Sequence, residues 1–193
     1  MKIRLAADLQ SDSIVDGEGI RTVLWTQGCS HNCAYCHNPQ THDFKGGELV
    51  ELDDVIERIK ELKGQTGVTF SGGDPMFQAT QCAILAKEVH NLGMNVWAYT
   101  GFCFEDLILS KNKNILSFLE NIDVLIDGKF EIDKKSLDLE FRGSSNQRII
   151  DVQKSLKEQS VVLYETKNNT KISVDAFNYE NSFFSTENQG MYI

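Results

Sequence analysis

Short runs of β-branched, aromatic and aliphatic residues recur along this chain, separated by longer stretches whose apolar positions return every three or four residues. The first pattern is that of strands and the second that of amphipathic helices. Residues 21–27 (RTVLWTQ) form the first predicted strand, and residues 68–70, 95–99 and 124–127 the second, third and fourth. Between the first two, Leu52, Val55, Ile56, Ile59 and Leu62 share one helical face, with Asp53 and Asp54 at the amino end, where the helix dipole favours negative charge. Residues 79–92 predict a second helix capped by Gly93, and residues 115–119 lie on a third. Strands alternating with helices predict an α/β fold with a mostly parallel sheet. A complete eight-unit barrel takes about 250 residues. The 193 residues here predict four or five units, arranged as an open, partial (β/α) barrel.

In such folds ligands gather at the carboxyl ends of the strands, and the chemistry-bearing residues fall there. The first strand runs into GCSHNCAYCHNP (residues 28–39), which holds three of the five cysteines. Cys29, Cys33 and Cys36 are spaced closely enough for one loop to surround one metal centre. Three thiolates suit a [4Fe-4S] cluster whose fourth iron has no protein ligand. The same cysteines with His31, His37 or His42 would alternatively make a closed Cys3His zinc staple. Structural zinc sites usually draw on two separated ligand pairs, and no second cysteine pair exists in this chain. The second strand ends in SGGDP (residues 71–75), where Gly72 and Gly73 let a bare backbone edge approach a ligand. In RGSSNQR (residues 142–148), Ser144 or Ser145 is expected to cap a helix continuing through Ile149, Ile150 and Val152, with an anion-attracting amino terminus. Cys82 reads as a small core residue and Cys103 as partly exposed.

Composition narrows the setting. Hydrophobic residues make up 41% of the chain, enough for a real core, and the net charge of -9 argues against a nucleic-acid surface. No apolar run is long enough to span a bilayer, and residues 1–10 lack the features of a signal peptide. An odd cysteine count argues against a disulfide framework and fits a cytoplasmic protein with reduced thiols.

The C-x3-C-x2-C spacing with Tyr35 before the third cysteine resembles the radical S-adenosylmethionine (SAM) superfamily. DGEGIR (residues 16–21), CHNPQT (36–41), GGDP (72–75), YTG (99–101), DGKF (127–130) and FRGSSNQRIID (141–151) together resemble the anaerobic ribonucleoside-triphosphate reductase activating proteins. The match runs from about residue 16 to about residue 156. It implies a partial barrel of the radical SAM type over residues 1–156. It also implies reductive cleavage of SAM at a [4Fe-4S] cluster held by Cys29, Cys33 and Cys36, then hydrogen abstraction from a glycine Cα of the reductase. Tyr35, Cys36 and His37 would line SAM, and Gly72, Gly73 and Asp74 would face its methionine end. Asp127 and Lys129 resemble the D-x-K pattern of the related pyruvate formate-lyase activases, in which the lysine approaches the SAM carboxylate. The implied partners are the reductase and a low-potential electron donor, flavodoxin or ferredoxin. A radical SAM enzyme acting on a small molecule, similar to the 7-carboxy-7-deazaguanine synthases, is the alternative, as is an activase of another glycyl-radical enzyme.

Residues 157–193 lie beyond the resemblance and are expected to form an extension packed on the same domain. Residues 160–165 and 170–174 would pair as strands around a turn at Asn168 and Asn169, with Phe177, Phe183, Phe184 and Tyr192 covering the sheet. Deleting the chain from Asn178 onward is therefore expected to lower solubility more than iron content after reconstitution; equal losses would overturn a covering role.

Overall fold

The computed structural model describes residues 1–166. The predicted strands are present as β3 (Arg21–Thr26), β5 (Gly67–Gly72), β6 (Asn95–Tyr99) and β7 (Val124–Asp127). These four pair in parallel in the order β3-β5-β6-β7 and form the centre of the sheet. Antiparallel strands flank them: β1 (Lys2–Leu5) beside β3, β4 (Glu48–Glu51) beside β1, β2 (Gln10–Ser13) also on β3, and β8 (Arg148–Asp151) on β7. The hydrogen-bonded path runs from β4 to β8 without closing, so the predicted open, partial barrel is what forms.

Two features differ from the sequence reading. β1, β2 and β4 have four residues each, and QSDS in β2 is polar throughout, so hydrophobic periodicity carries no signal there. They form because the backbone groups of β3 and β1 need partners. The expected helix from Ser144 or Ser145 through Ile149 and Ile150 is instead strand β8, and helix α5 (Val152–Glu158) starts only after it, capped by the Asp151 carboxylate accepting from Lys154 N. Pairing of the β-branched Ile149 and Ile150 with Ile126 and Leu125 outweighs a local helix start. Ser144 lies in the preceding loop, where its hydroxyl accepts from Glu131 N. Residues 160–165 make a single bridge, Leu163 to Ile150, rather than a strand, and the remaining expectations for the extension fall outside the described residues.

Alternation along the strands divides the sheet into two faces. Leu24, Val68, Phe70, Val96, Ala98 and Leu125 point to the outer face. There α1 (Leu52–Glu61), α2 (Ala79–Asn91), α3 (Phe104–Leu109) and α4 (Lys113–Leu119) cover them, and the resulting core includes Cys82, fully buried within α2. The inner face carries Arg21, Thr69 and Trp97 toward the amino ends of the strands and Trp25, Ser71 and Tyr99 toward the carboxyl ends. A smaller apolar cluster of Trp97, Val124, Ile126 and Ile149, flanked by Tyr99, Phe141 and Tyr164, covers part of it.

Arg21 fills the amino-terminal half of that inner face. Its guanidinium is fully buried and donates to Thr69 Oγ1 (2.6 Å), Asn95 Oδ1 (2.6 Å), Val68 O (2.9 Å) and Glu18 O (3.1 Å), stacked 5.2 Å from the Trp97 ring. Burial pushes its pKa down to about 10, so it stays charged at neutral pH. Part of DGEGIR is thereby explained as packing. At the far edge Arg148 makes a two-pronged contact with Glu105 (2.9 and 2.7 Å) and also donates to Asp127 (3.0 and 2.5 Å), tying β8, β7 and α3 together.

Arg21→Met leaves several buried acceptors unfilled and is expected to cost roughly 3 kcal/mol, read as a lower urea midpoint at unchanged m-value. Arg21→Lys should restore only part of this, because an ammonium cannot reach the same acceptors at once. Arg148 holds the Glu105 carboxyl at about 2, below its ordinary 4.5. A depressed folded-state pKa stabilises the fold fully above about 4.5 and loses that contribution as pH falls toward about 2. Glu105→Gln should accordingly flatten the fall in urea midpoint across that window; a variant curve parallel to the parent's would show that the contact contributes nothing.

Candidate functional site

The cysteine loop leaves the carboxyl end of β3 and is closed at its base by backbone hydrogen bonds, Gly28 N to Thr41 O (2.8 Å) and Cys29 N to His42 O (3.2 Å). Gln27, almost fully buried, reinforces the base by donating from Nε2 to Asp43 O (2.6 Å) and Gln40 O (3.3 Å). Within the loop, Asn32 and Tyr35 adopt left-handed backbone angles (φ 51° and 57°), which turn the chain sharply between the cysteines. Cys36 N donates to Cys33 O, and Asn38 N approaches Cys36 Sγ at 3.4 Å. Burial raises the pKa of the Cys29 thiol, the His31 backbone N–H works the other way, and the Asp74 charge adds to the rise.

Cys29, Cys33 and Cys36 are all half-buried and face one cavity of about 790 Å³ at the carboxyl ends of the parallel strands. Gly72 and Gly73 lie on its wall, and both need to be glycine. Gly72 has φ +98°, and a Cβ there would collide with the Thr26 backbone, while one on Gly73 would collide with the Gly28 carbonyl. Gly73 N donates to Thr26 O (2.7 Å) and Asp74 N to Gly28 O (3.0 Å), so this edge is sewn directly to the root of the cysteine loop. Lys129 and His37 also line the cavity, with the His37 ring 4.7 Å from that of Phe130.

The structure therefore brings together Cys29, Cys33, Cys36, His37, Gly72, Gly73 and Lys129. Three other expected site residues do not line the cavity. Tyr35 is 78% exposed. Asp74 is buried beneath the wall, its carboxylate accepting from Met76 N, Thr100 Oγ1, Gly101 N and His31 Nε2. Asp127 alternates with Ile126 and shares the outer face with Leu125, where its carboxylate receives Phe104 N (2.8 Å) at the start of α3 and the Arg148 guanidinium.

Sequence reasoning assigned no role in the site to Thr100, Gln147 or the His31–Asp74 contact. Gln147 Nε2 donates to Gly128 O (3.1 Å) while its Oε1 accepts from Gly143 N (2.9 Å) and Ser144 N (3.2 Å), holding the 141–147 loop against the cavity wall. The available signal for Thr100 was a lone polar residue at the carboxyl end of an apolar strand.

The donor set fits a cluster better than a closed single-ion site. Three thiols from one loop border a cavity with room beyond them, which suits a centre with one iron left open to a further ligand. Among the described residues no three His, Cys, Asp or Glu side chains converge on a single ion, and the His31 ring is committed to Asp74.

Residues 15–150 match a family described as a 4Fe-4S single cluster domain. The anaerobic ribonucleoside-triphosphate reductase-activating protein of Enterobacteria phage T4 is 34% identical over 146 residues, covering 70% of this chain and 86% of that protein. The protein of the same name from Haemophilus influenzae is 35% identical over 148 residues, 70% of this chain and 90% of its own. That of Escherichia coli K12 is 34% identical over 143 residues, with coverage of 69% and 90%. Among solved structures, QueE from Escherichia coli aligns with a TM-score of 0.43 at 14% identity, over 52% of this chain and 53% of that one. The cysteine loop, the glycine edge and the strands that carry them all lie within the matched residues, and the chain belongs to the family of anaerobic ribonucleoside-triphosphate reductase-activating proteins.

Proposed function

We propose that this protein activates an anaerobic ribonucleoside-triphosphate reductase by generating a glycyl radical on it, using SAM and a [4Fe-4S] cluster held by Cys29, Cys33 and Cys36. The observation that carries this reading is the shared cavity: the three thiols and the bare Gly72–Gly73 edge face the same space. Cys29, Cys33 and Cys36 would hold the cluster, which when bound would supply the low-potential electron for reductive cleavage of SAM and, through it, hydrogen abstraction from a glycine Cα. The remaining work belongs to the chain itself.

The Gly72–Gly73 edge offers backbone carbonyls to the ammonium of SAM, which no side chain obstructs at these positions. Lys129 supplies a cation on the cavity wall for the methionine carboxylate. His37 and Phe130 form an aromatic wall on the same cavity, suited to the nonpolar faces of the cofactor. Among the described residues the unclosed sheet leaves a side through which a loop of another protein can enter, and the docked reductase would then exclude water and oxygen from the radical. A flavodoxin or ferredoxin fits the need for a low-potential donor.

The test is anaerobic reconstitution with iron and sulfide, followed by electron paramagnetic resonance (EPR) of the reduced protein with SAM, with and without the reductase. A cluster signal perturbed by SAM and an organic doublet appearing only with the reductase are expected. Cluster and SAM cleavage without the doublet would redirect the reading to another glycyl-radical partner or a small molecule, and stoichiometric zinc in place of iron would end it. Cys33→Ala should abolish the cluster, whereas Cys103→Ala, altering an exposed thiol remote from the loop in sequence, should leave iron content unchanged. Gly73→Ala should retain iron yet slow doublet formation by about 100-fold, because the displaced edge misplaces SAM.

A further inference from the structure

His31 stands between Cys29 and Cys33, and its two ends serve different parts of the site. Its backbone N–H acts to lower the pKa of the Cys29 thiol. Its ring nitrogen Nε2 donates to Asp74 Oδ2 at 2.7 Å, with the two side chains 8% and 1% exposed. The ring is seated edge-on against Phe102, centroids 4.5 Å apart, with Phe77 at 6.0 Å. Gly101 completes the seat: a Cβ there would stand 2.5 Å from the imidazole.

Asp74 directly follows the Gly72–Gly73 edge, and its carboxylate is the point where separate strand ends meet. It accepts from Met76 N (2.9 Å) after β5 and from Thr100 Oγ1 (2.9 and 3.1 Å) and Gly101 N (2.9 Å) after β6, in addition to His31 from the loop after β3. The backbone bond from Asp74 N to Gly28 O holds the root of the cysteine loop. Only the His31 contact reaches, among the bonds to the Asp74 side chain, the segment between two of the thiols.

We propose that His31 and Asp74 form a latch that sets the spacing between the cluster-holding loop and the glycine edge that receives the amino end of SAM. The proposal rests on the activase reading, in which the cluster-holding loop and that edge would hold the same SAM molecule. A ligand held at two places binds well only when both contacts are kept at one separation, and in positioned sites a misplacement near 1 Å costs about 100-fold in rate. His31 and Asp74 are positioning residues: Asp74 lies beneath the wall with its carboxylate filled by its four donors, and the His31 ring, although it borders the cavity, commits Nε2 to that carboxylate. The latch also accounts for a histidine inside the cysteine loop that takes no part as a metal ligand.

The test uses reconstituted holoprotein and the variants His31→Phe, His31→Gln, Asp74→Asn and the double variant His31→Phe with Asp74→Asn. Iron and sulfide content, the EPR signal with and without SAM, the dissociation constant for SAM from equilibrium dialysis and the thermal midpoint are measured for each. The latch predicts near-parental iron content and an unchanged SAM-free signal. It predicts SAM affinity about tenfold weaker in each single variant, no further loss in the double variant, and partial recovery in His31→Gln, whose amide can still donate to Asp74. Parental SAM affinity and a parental SAM-induced spectral change in His31→Phe would overturn it. So would additive losses in the double variant, or iron content falling in step with SAM binding. Should Asp74→Asn fail to fold, the contrast between His31→Phe and His31→Gln still decides, since equal losses in both would overturn the latch. Failure of the activase reading is recognisable separately, as a fully loaded parental protein that shows no response to SAM.

Discussion

The two-residue alternation of side chains along four parallel strands is the constraint on which the rest of this structure depends. Because β3, β5, β6 and β7 stay in register, every second residue faces the helices and every other faces the inside of the curve. The outer positions are aliphatic and bury the helices. The inner positions cannot all be aliphatic, since among the described residues no helical layer covers that side. Arg21, Thr69 and Trp97 therefore close its amino-terminal half with a buried guanidinium and its acceptors, leaving the carboxyl-terminal half open as the cavity.

Carboxylates at the strand ends divide the remaining labour by face and by neighbour. Asp127 falls on the outer face and is consumed by the start of α3 and by Arg148, so it braces the sheet's last two strands. Asp74 falls in the turn after β5 and draws three loops to itself. Both are buried with their charge met by several donors, which is what makes a buried carboxylate tolerable. The groups that line the cavity include thiols, the bare backbone edge, imidazole and ammonium, which suit a soft metal cluster and a zwitterionic ligand.

Much of the site was legible because its signals are local. Cys29, Cys33 and Cys36 lie within eight consecutive residues, and Gly72–Gly73 follows an apolar run that ends there. The four parallel strands were legible because buried strands are continuous apolar runs. β1, β2 and β4 were not, being short or polar and present to satisfy the backbone of a neighbour. The RGSSNQRII segment was misread for the complementary reason: its serines signal a helix start, and only the pairing of Ile149 and Ile150 with β7 shows that a strand intervenes.

From the sequence alone came the candidate ligand set, the strand-then-loop placement of the cysteine and glycine motifs, and a count of four or five units, since all of these are encoded in spacing and periodicity within short windows. The tertiary structure decided which of the candidate residues share a cavity. It placed Asp127 with the helices, left Tyr35 in solvent and joined His31 to Asp74 across 43 positions of chain. Such pairings depend on strand order and on which face a side chain takes at the end of a strand. Those are properties of the assembled sheet, and no short window of sequence contains them.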